Sequence, residues 1–135
     1  MKINKIDHIG VAVNNVAETK ALLERLFQLK LEFSQLVADQ KVNTVGFDIA
    51  GTNLELLEAT DNDSPIHKFI EKRGQGIHHI ALQVDDLDAS LDELKQMNVQ
   101  LIDQRPRIGA EDKRIAFIHP KATGGILVEL SESKK

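Results

Sequence analysis

The sequence predicts an α+β domain made of two βαβββ repeats, and three observations lead there. A strand-like segment recurs after just over half the chain. Each copy is followed by a polar pair and an amphipathic helical stretch. Three further strand-like stretches then follow each helix.

The first strand is Ile6-Asp7-His8-Ile9-Gly10-Val11-Ala12-Val13, and its match is Ile77-His78-His79-Ile80-Ala81-Leu82-Gln83-Val84, an offset of 71 residues (79 − 8). Asn14-Asn15 follows the first copy and Asp85-Asp86 the second. Asn15 with Glu18 three residues on has capping-box spacing, and the helix behind it carries Leu22, Leu23, Leu26 and Phe27 on one side. The second helix starts near Asp86, with Leu87, Leu91 and Leu94 at helical spacing. Strands are expected over Leu31 to Leu36, Val42 to Ile49 and Asn53 to Glu58, and again over Gln100 to Gln104, Arg114 to His119 and Gly125 to Leu130. Between the halves Ser64-Pro65 opens a helix that Gly74 closes. Residues 1–135 read as a single domain: repeat one over about 5–60, a linking helix over about 64–74, and repeat two over about 76–131. The expected architecture is a curved mixed sheet around a cavity, with the helices packed outside.

Composition narrows the function. At 135 residues, 41% hydrophobic and 28% charged, the chain is long enough for a real core and ordinary for a soluble globular protein. No stretch approaches the roughly 20 apolar residues of a membrane span, and no apolar signal core follows Met1, so a cytoplasmic location is expected and no membrane partner. A net charge of −4, with five Phe and neither Trp nor Tyr, argues against nucleic acid as a partner. Without cysteine, any metal must be held by His, Asp, Glu or Gln.

Strand alternation then separates the polar residues by face. Ile9, Val11 and Val13 share the helix-facing side of the first strand, and His8, Gly10 and Ala12 the inner side. In the second copy Ile80, Leu82 and Val84 face the helix, while His79, Ala81 and Gln83 face inward. Parity therefore selects His79 over His78, and each selected histidine has a very small residue at the next inward position. The last strand of each half repeats the theme: Glu55 lies between Leu54 and Leu56, and Glu129 between Val128 and Leu130, an offset of 74 (129 − 55). A lone glutamate on a strand ordinarily marks a solvated face, and a lone strand histidine ordinarily serves structure. Four such residues at matched positions of a duplication point instead to a metal site of His8, Glu55, His79 and Glu129. Two imidazoles and two carboxylates suit Co²⁺, Mn²⁺, Zn²⁺ or Ni²⁺.

The same segments resemble the methylmalonyl-CoA epimerase family of the vicinal-oxygen-chelate superfamily, and the resemblance covers nearly the whole chain. It is carried by Ile6 to Val13, Leu54-Glu55-Leu56-Leu57-Glu58, Asp63-Ser64-Pro65-Ile66, and Gly76-Ile77-His78-His79-Ile80-Ala81 with Val84-Asp85. It continues in Pro106-Arg107-Ile108-Gly109-Ala110, Ile115-Ala116-Phe117-Ile118-His119-Pro120-Lys121 and Thr123-Gly124-Gly125-Ile126-Leu127-Val128-Glu129-Leu130. The resemblance implies metal ligands at His8, His79 and Glu129, with the fourth position falling on Glu55. Two departures stand out. Thr44 occupies a position where some relatives are described with a second glutamate base, and Glu111-Asp112 replaces a His-Gly turn.

The implied activity is epimerisation of methylmalonyl-CoA by 1,1-proton transfer through an enolate, assisted by a divalent metal, Co²⁺ first with Mn²⁺, Zn²⁺ or Ni²⁺ as alternatives. Glu129 is the expected base on one face. Glu55 or a metal-bound water serves the other, with Glu58 behind them. Arg105, Arg107, Lys113, Arg114 and Lys121 could meet the CoA phosphates or lie in solvent, and His119, Lys121 and Arg107 are candidate substrate contacts. Gly74-Gln75-Gly76 reads as a helix stop and turn, not a phosphate loop. The resemblance also implies a homodimer. The alternatives are a glyoxalase-type lyase, which the His-Pro-Lys and Gly-Gly segments oppose, an extradiol-like dioxygenase using Fe²⁺, and a small-molecule-sequestering protein, for which the chain has few aromatic residues.

Overall fold

The computed structural model describes residues 1–134. Its elements follow the order β1 (Lys5–Ala12), α1 (Val16–Phe27), β2 (Lys30–Val37), β3 (Val42–Ile49), β4 (Thr52–Ala59), α2 (Pro65–Arg73), β5 (Gly76–Val84), α3 (Leu87–Gln96), β6 (Arg107–Ile108), β7 (Arg114–Ile118) and β8 (Val128–Glu132). The fold is mixed α+β, with eight strands and three α-helices among the described residues. The chain clusters into two compact units, one over His8–His78 and one combining Met1–Asp7 with the chain from His79 onward.

In the His8–His78 unit the strand order is β2-β3-β4-β1, antiparallel except for the parallel β4–β1 pair. Asn15 caps α1 by accepting a hydrogen bond from the Glu18 amide, as its spacing predicts, and Ser64 caps α2 by accepting one from the Ile66 amide. The buried core here is Val13, Val45, Phe47 and Leu56, with Val11, Val16 and Leu23 packed against it. Of the apolar residues on α1, Leu23 meets the sheet, but Leu22, Leu26 and Phe27 are exposed, Phe27 by 64%. A row two residues wide cannot all face one flat surface on a helix with 3.6 residues per turn.

The other unit has the order β5-β8-β7-β6, with β5 and β8 parallel. Asp86 caps α3 through the Ala89 amide, and Leu87, Leu91 and Leu94 bury against Val84, Ala116, Ile118 and Leu130. Each such leucine contributes about 1.5–3 kcal/mol. The strand expected over Gln100 to Gln104 does not form. Leu101 makes one isolated bridge to Ile118, and then the Asp103 carboxylate accepts the Phe117 amide that a strand carbonyl would have taken. A two-residue β6 pairs with β7 instead. Gly124 and Gly125, both at positive φ, turn the chain into β8, which starts at Val128 rather than Gly125.

Candidate functional site

Each unit carries one buried histidine–glutamate pair, and strand register explains both. In the His8–His78 unit, Glu55 on β4 stands opposite Gly10 on β1, two residues past His8. With no side chain at Gly10, the His8 ring leans along the sheet until Nδ1 lies 3.3 Å from Glu55 Oε2. Across β4's other edge Glu55 faces Gly46. The Phe33 ring occupies the space where a Gly46 Cβ would stand, so any side chain there would have to displace the ring.

The second unit repeats the arrangement. Glu129 on β8 stands opposite Ala81 on β5, two residues past His79, and His79 Nε2 lies 3.4 Å from Glu129 Oε1. Phe117 faces Glu129 from β7, and its ring meets the His79 ring edge-on with centroids 5.4 Å apart. The Arg107 guanidinium lies over Phe117, 5.5 Å from the ring centroid, and pairs with Asp103 at 3.5 Å. His8, Glu55 and His79 are each 5% exposed and Glu129 is 3% exposed, so neither glutamate lies on a solvated face.

The donor set suits a divalent cation. Two ligand atoms on bonds of roughly 2.0–2.2 Å at tetrahedral or octahedral angles lie about 3.0–3.4 Å apart. The imidazole–carboxylate separations in both pairs match that spacing and exceed a good charge-assisted hydrogen bond. Nitrogen and oxygen donors without sulfur suit a divalent metal ion.

The remaining polar residues divide clearly. His78 points away from His79 and stacks edge-on against Phe69 of α2 at 5.0 Å; burial pushes its pKa down to about 4, which keeps it neutral. Glu58 accepts the Val16 amide at the start of α1, and Glu132, its counterpart 74 residues on (132 − 58), accepts the Leu87 amide at the start of α3. These duplicated carboxylates complete helix N-termini, which removes Glu58 from the candidate bases. Arg114 is bound by Glu132 and Asp88, and Lys113 by Asp7, so neither extends toward phosphates. Arg105 and Lys121 are exposed, while His119 Nδ1 accepts the Lys121 amide and caps the turn at Pro120. Thr44 is buried on the face of β3 that carries Gly46.

Sequence reasoning missed the buried polar residues Asp7 and Ser131. Asp7 is 4% exposed and holds Lys113 from 106 residues away, a pairing with no periodic signal in the chain. Ser131 is fully buried on the same face of β8 as Glu129, and its hydroxyl makes no hydrogen bond among the described residues.

Comparison with known proteins places this geometry. The sequence model of the glyoxalase/bleomycin resistance protein/dioxygenase superfamily matches residues 7–117. The chain belongs to that superfamily. Within it, the chain is 45% identical over 132 residues to the uncharacterized protein YqjC of Bacillus subtilis (strain 168), spanning 98% of this chain and 94% of that one. It is 37% identical over 131 residues to the mitochondrial methylmalonyl-CoA epimerase of Dictyostelium discoideum, spanning 96% of this chain and 79% of that one. The solved methylmalonyl-CoA epimerase of Mycobacterium tuberculosis superposes with a TM-score of 0.94 at 32% identity, over 98% of this chain and 90% of that one. The α+β elements described above are consistent with the glyoxalase fold.

Proposed function

We propose that this chain is a metal-dependent epimerase that interconverts the two C2 epimers of methylmalonyl-CoA by 1,1-proton transfer. The observation that carries the reading is the buried His–Glu pair repeated at matched register in both halves, in a chain whose relatives include methylmalonyl-CoA epimerases. In this reading residues 1–135 form one domain of two βαβββ repeats, over about 5–60 and 76–131, joined by the helix over about 64–74. His8, Glu55, His79 and Glu129 hold one divalent ion, Co²⁺ in the first instance, which when bound supplies Lewis-acid stabilisation of the charge that develops on the thioester oxygen.

The chain's own residues do the rest. Glu129 takes the α-proton onto a carboxylate oxygen, and Glu55, entering the turnover already protonated from solvent, delivers its proton to the opposite face; solvent exchange then resets both carboxyl groups. The Thr44 hydroxyl is far too weak a base at neutral pH to take that part, and among the chain's own residues Glu55 is the candidate. Phe117 and Phe33, packed beside the two glutamates, exclude water from the carbanion. Arg107, seated on Phe117, is the substrate contact that the geometry supports best, with Lys121 and His119 further candidates. The exposed Arg105 and Lys121 serve the CoA phosphates. The working form is a homodimer in the cytoplasm. Among the described residues no helix is long and apolar enough to cross a membrane.

The deciding experiment incubates Co²⁺-loaded protein with one enantiomer of methylmalonyl-CoA in D₂O. Circular dichroism follows inversion while mass spectrometry follows deuterium at the α-carbon. Metal-dependent inversion with deuterium uptake is expected. No inversion above the protein-free rate with metal bound would discard this substrate and bring forward the glyoxalase-type reading.

A further inference from the structure

The loop that departs from the resemblance at Glu111-Asp112 is connected to the residue beside His8. Glu111 and Asp112 both adopt left-handed backbone, with φ of 58° and 57°. Two consecutive non-glycine residues in that region are strained, and such strain persists where the surroundings hold it in place. The turn presents Lys113 to the buried Asp7. Lys113 Nζ lies 3.1 Å from Asp7 Oδ1 and 3.4 Å from Oδ2, spanning both oxygens, with Glu111 at 3.9 Å. Gln83, third on the inward face of β5 after His79 and Ala81, donates from Nε2 to Asp7 Oδ1 at 3.4 Å. Just upstream, the Asn4 amide donates to the Gln83 carbonyl at 2.9 Å, and the Asn4 side chain to Asp85 at 2.9 Å.

Asp7 is thus gripped by Gln83 of β5 and by Lys113 of the turn before β7, and it is bonded directly to His8. We infer that Lys113 and Gln83 are positioning residues: by locking the Asp7 carboxylate they hold β1 in the register that aims His8 at its metal. A buried carboxylate in water-poor surroundings needs a cation or donors around it. Lys113 supplies the charge and Gln83 the second donor. Were either lost, Asp7 would turn toward solvent and carry the backbone at His8 with it. Outer residues that orient metal ligands characteristically change metal affinity by 10- to 100-fold when mutated. Asp7 is joined to His8 by one peptide bond, and the expected effect is at the lower end of that range. The structure also gives the Glu111-Asp112 turn a purpose, because a relaxed turn would not deliver Lys113 to this carboxylate.

The inference rests on the metal-site reading above, and the test separates the two. Co²⁺ affinity would be measured by titration calorimetry, and coordination by the visible spectrum of the bound ion, for wild type and for Lys113→Met, Lys113→Arg, Gln83→Met and His8→Ala. Lys113→Met is expected to bind about tenfold more weakly with an altered spectrum. Lys113→Arg, which retains the ion pair, is expected within about twofold of wild type. Gln83→Met should lose several-fold and stands in for Lys113→Met should that variant fail to fold. Wild-type affinity and spectrum in both Lys113→Met and Gln83→Met, alongside loss of binding in His8→Ala, would overturn the positioning role and leave the metal site standing. Undiminished binding in His8→Ala would overturn the site itself.

Discussion

An alanine at Gly46 is expected to destabilise the protein through one identifiable contact. An ideal Cβ at that position lies 2.2 Å from Phe33 Cε1, with two more ring atoms at 2.7 and 2.8 Å. The ring must therefore retreat by about an ångström, out of a packed face that also holds Glu55 opposite Gly46. Inserting one carbon into such a site costs about 1–3 kcal/mol, which for a chain of this size lowers Tm by roughly 3–10 °C. Thermal unfolding of Gly46→Ala, Phe33→Leu and the double variant would measure it. Leucine removes the ring atoms that collide, so the double variant should lose less than the sum of the single losses, a coupling of about 1 kcal/mol. A Gly46→Ala protein that melts within about 1 °C of wild type, or strict additivity in the double variant, would refute the packing account.

Three further outcomes are expected. His79→Ala should abolish stoichiometric Co²⁺ binding measured by metal analysis, whereas His78→Ala should retain it and lose only the Phe69 contact, about 0.5–1.5 kcal/mol by denaturant unfolding. Glu129→Gln should slow metal-loaded inversion of methylmalonyl-CoA by about 10²- to 10⁴-fold; a change under threefold would remove Glu129 as the base. Thr44→Val should leave the inversion rate within about threefold, and a loss as large as that of Glu129→Gln would show that the hydroxyl takes part in proton transfer.

What could be read from the chain was whatever repeats along it. The period-2 alternation that separated His79 from His78 is a property of the strand alone, and it survives folding because no register change can place both on one face. The caps at Asn15, Ser64 and Asp86 were legible because a side chain reaches an amide only two or three residues away. The duplication marked the equivalent positions of His8 with His79 and Glu55 with Glu129. It did not show which helix leucines would stay exposed, since that depends on how α1 rolls on its sheet. Alternation puts Glu55 and Glu58 on opposite faces of β4, but it could not name their partners: one reaches His8 and the other caps α1. Tertiary structure decided these, and it also decided the Asp7–Lys113 pair, the Glu58 and Glu132 caps, and the loss of the strand at Gln100 to Gln104. Each depends on side chains meeting across tens of residues, where reach and desolvation, not periodicity, determine the partner.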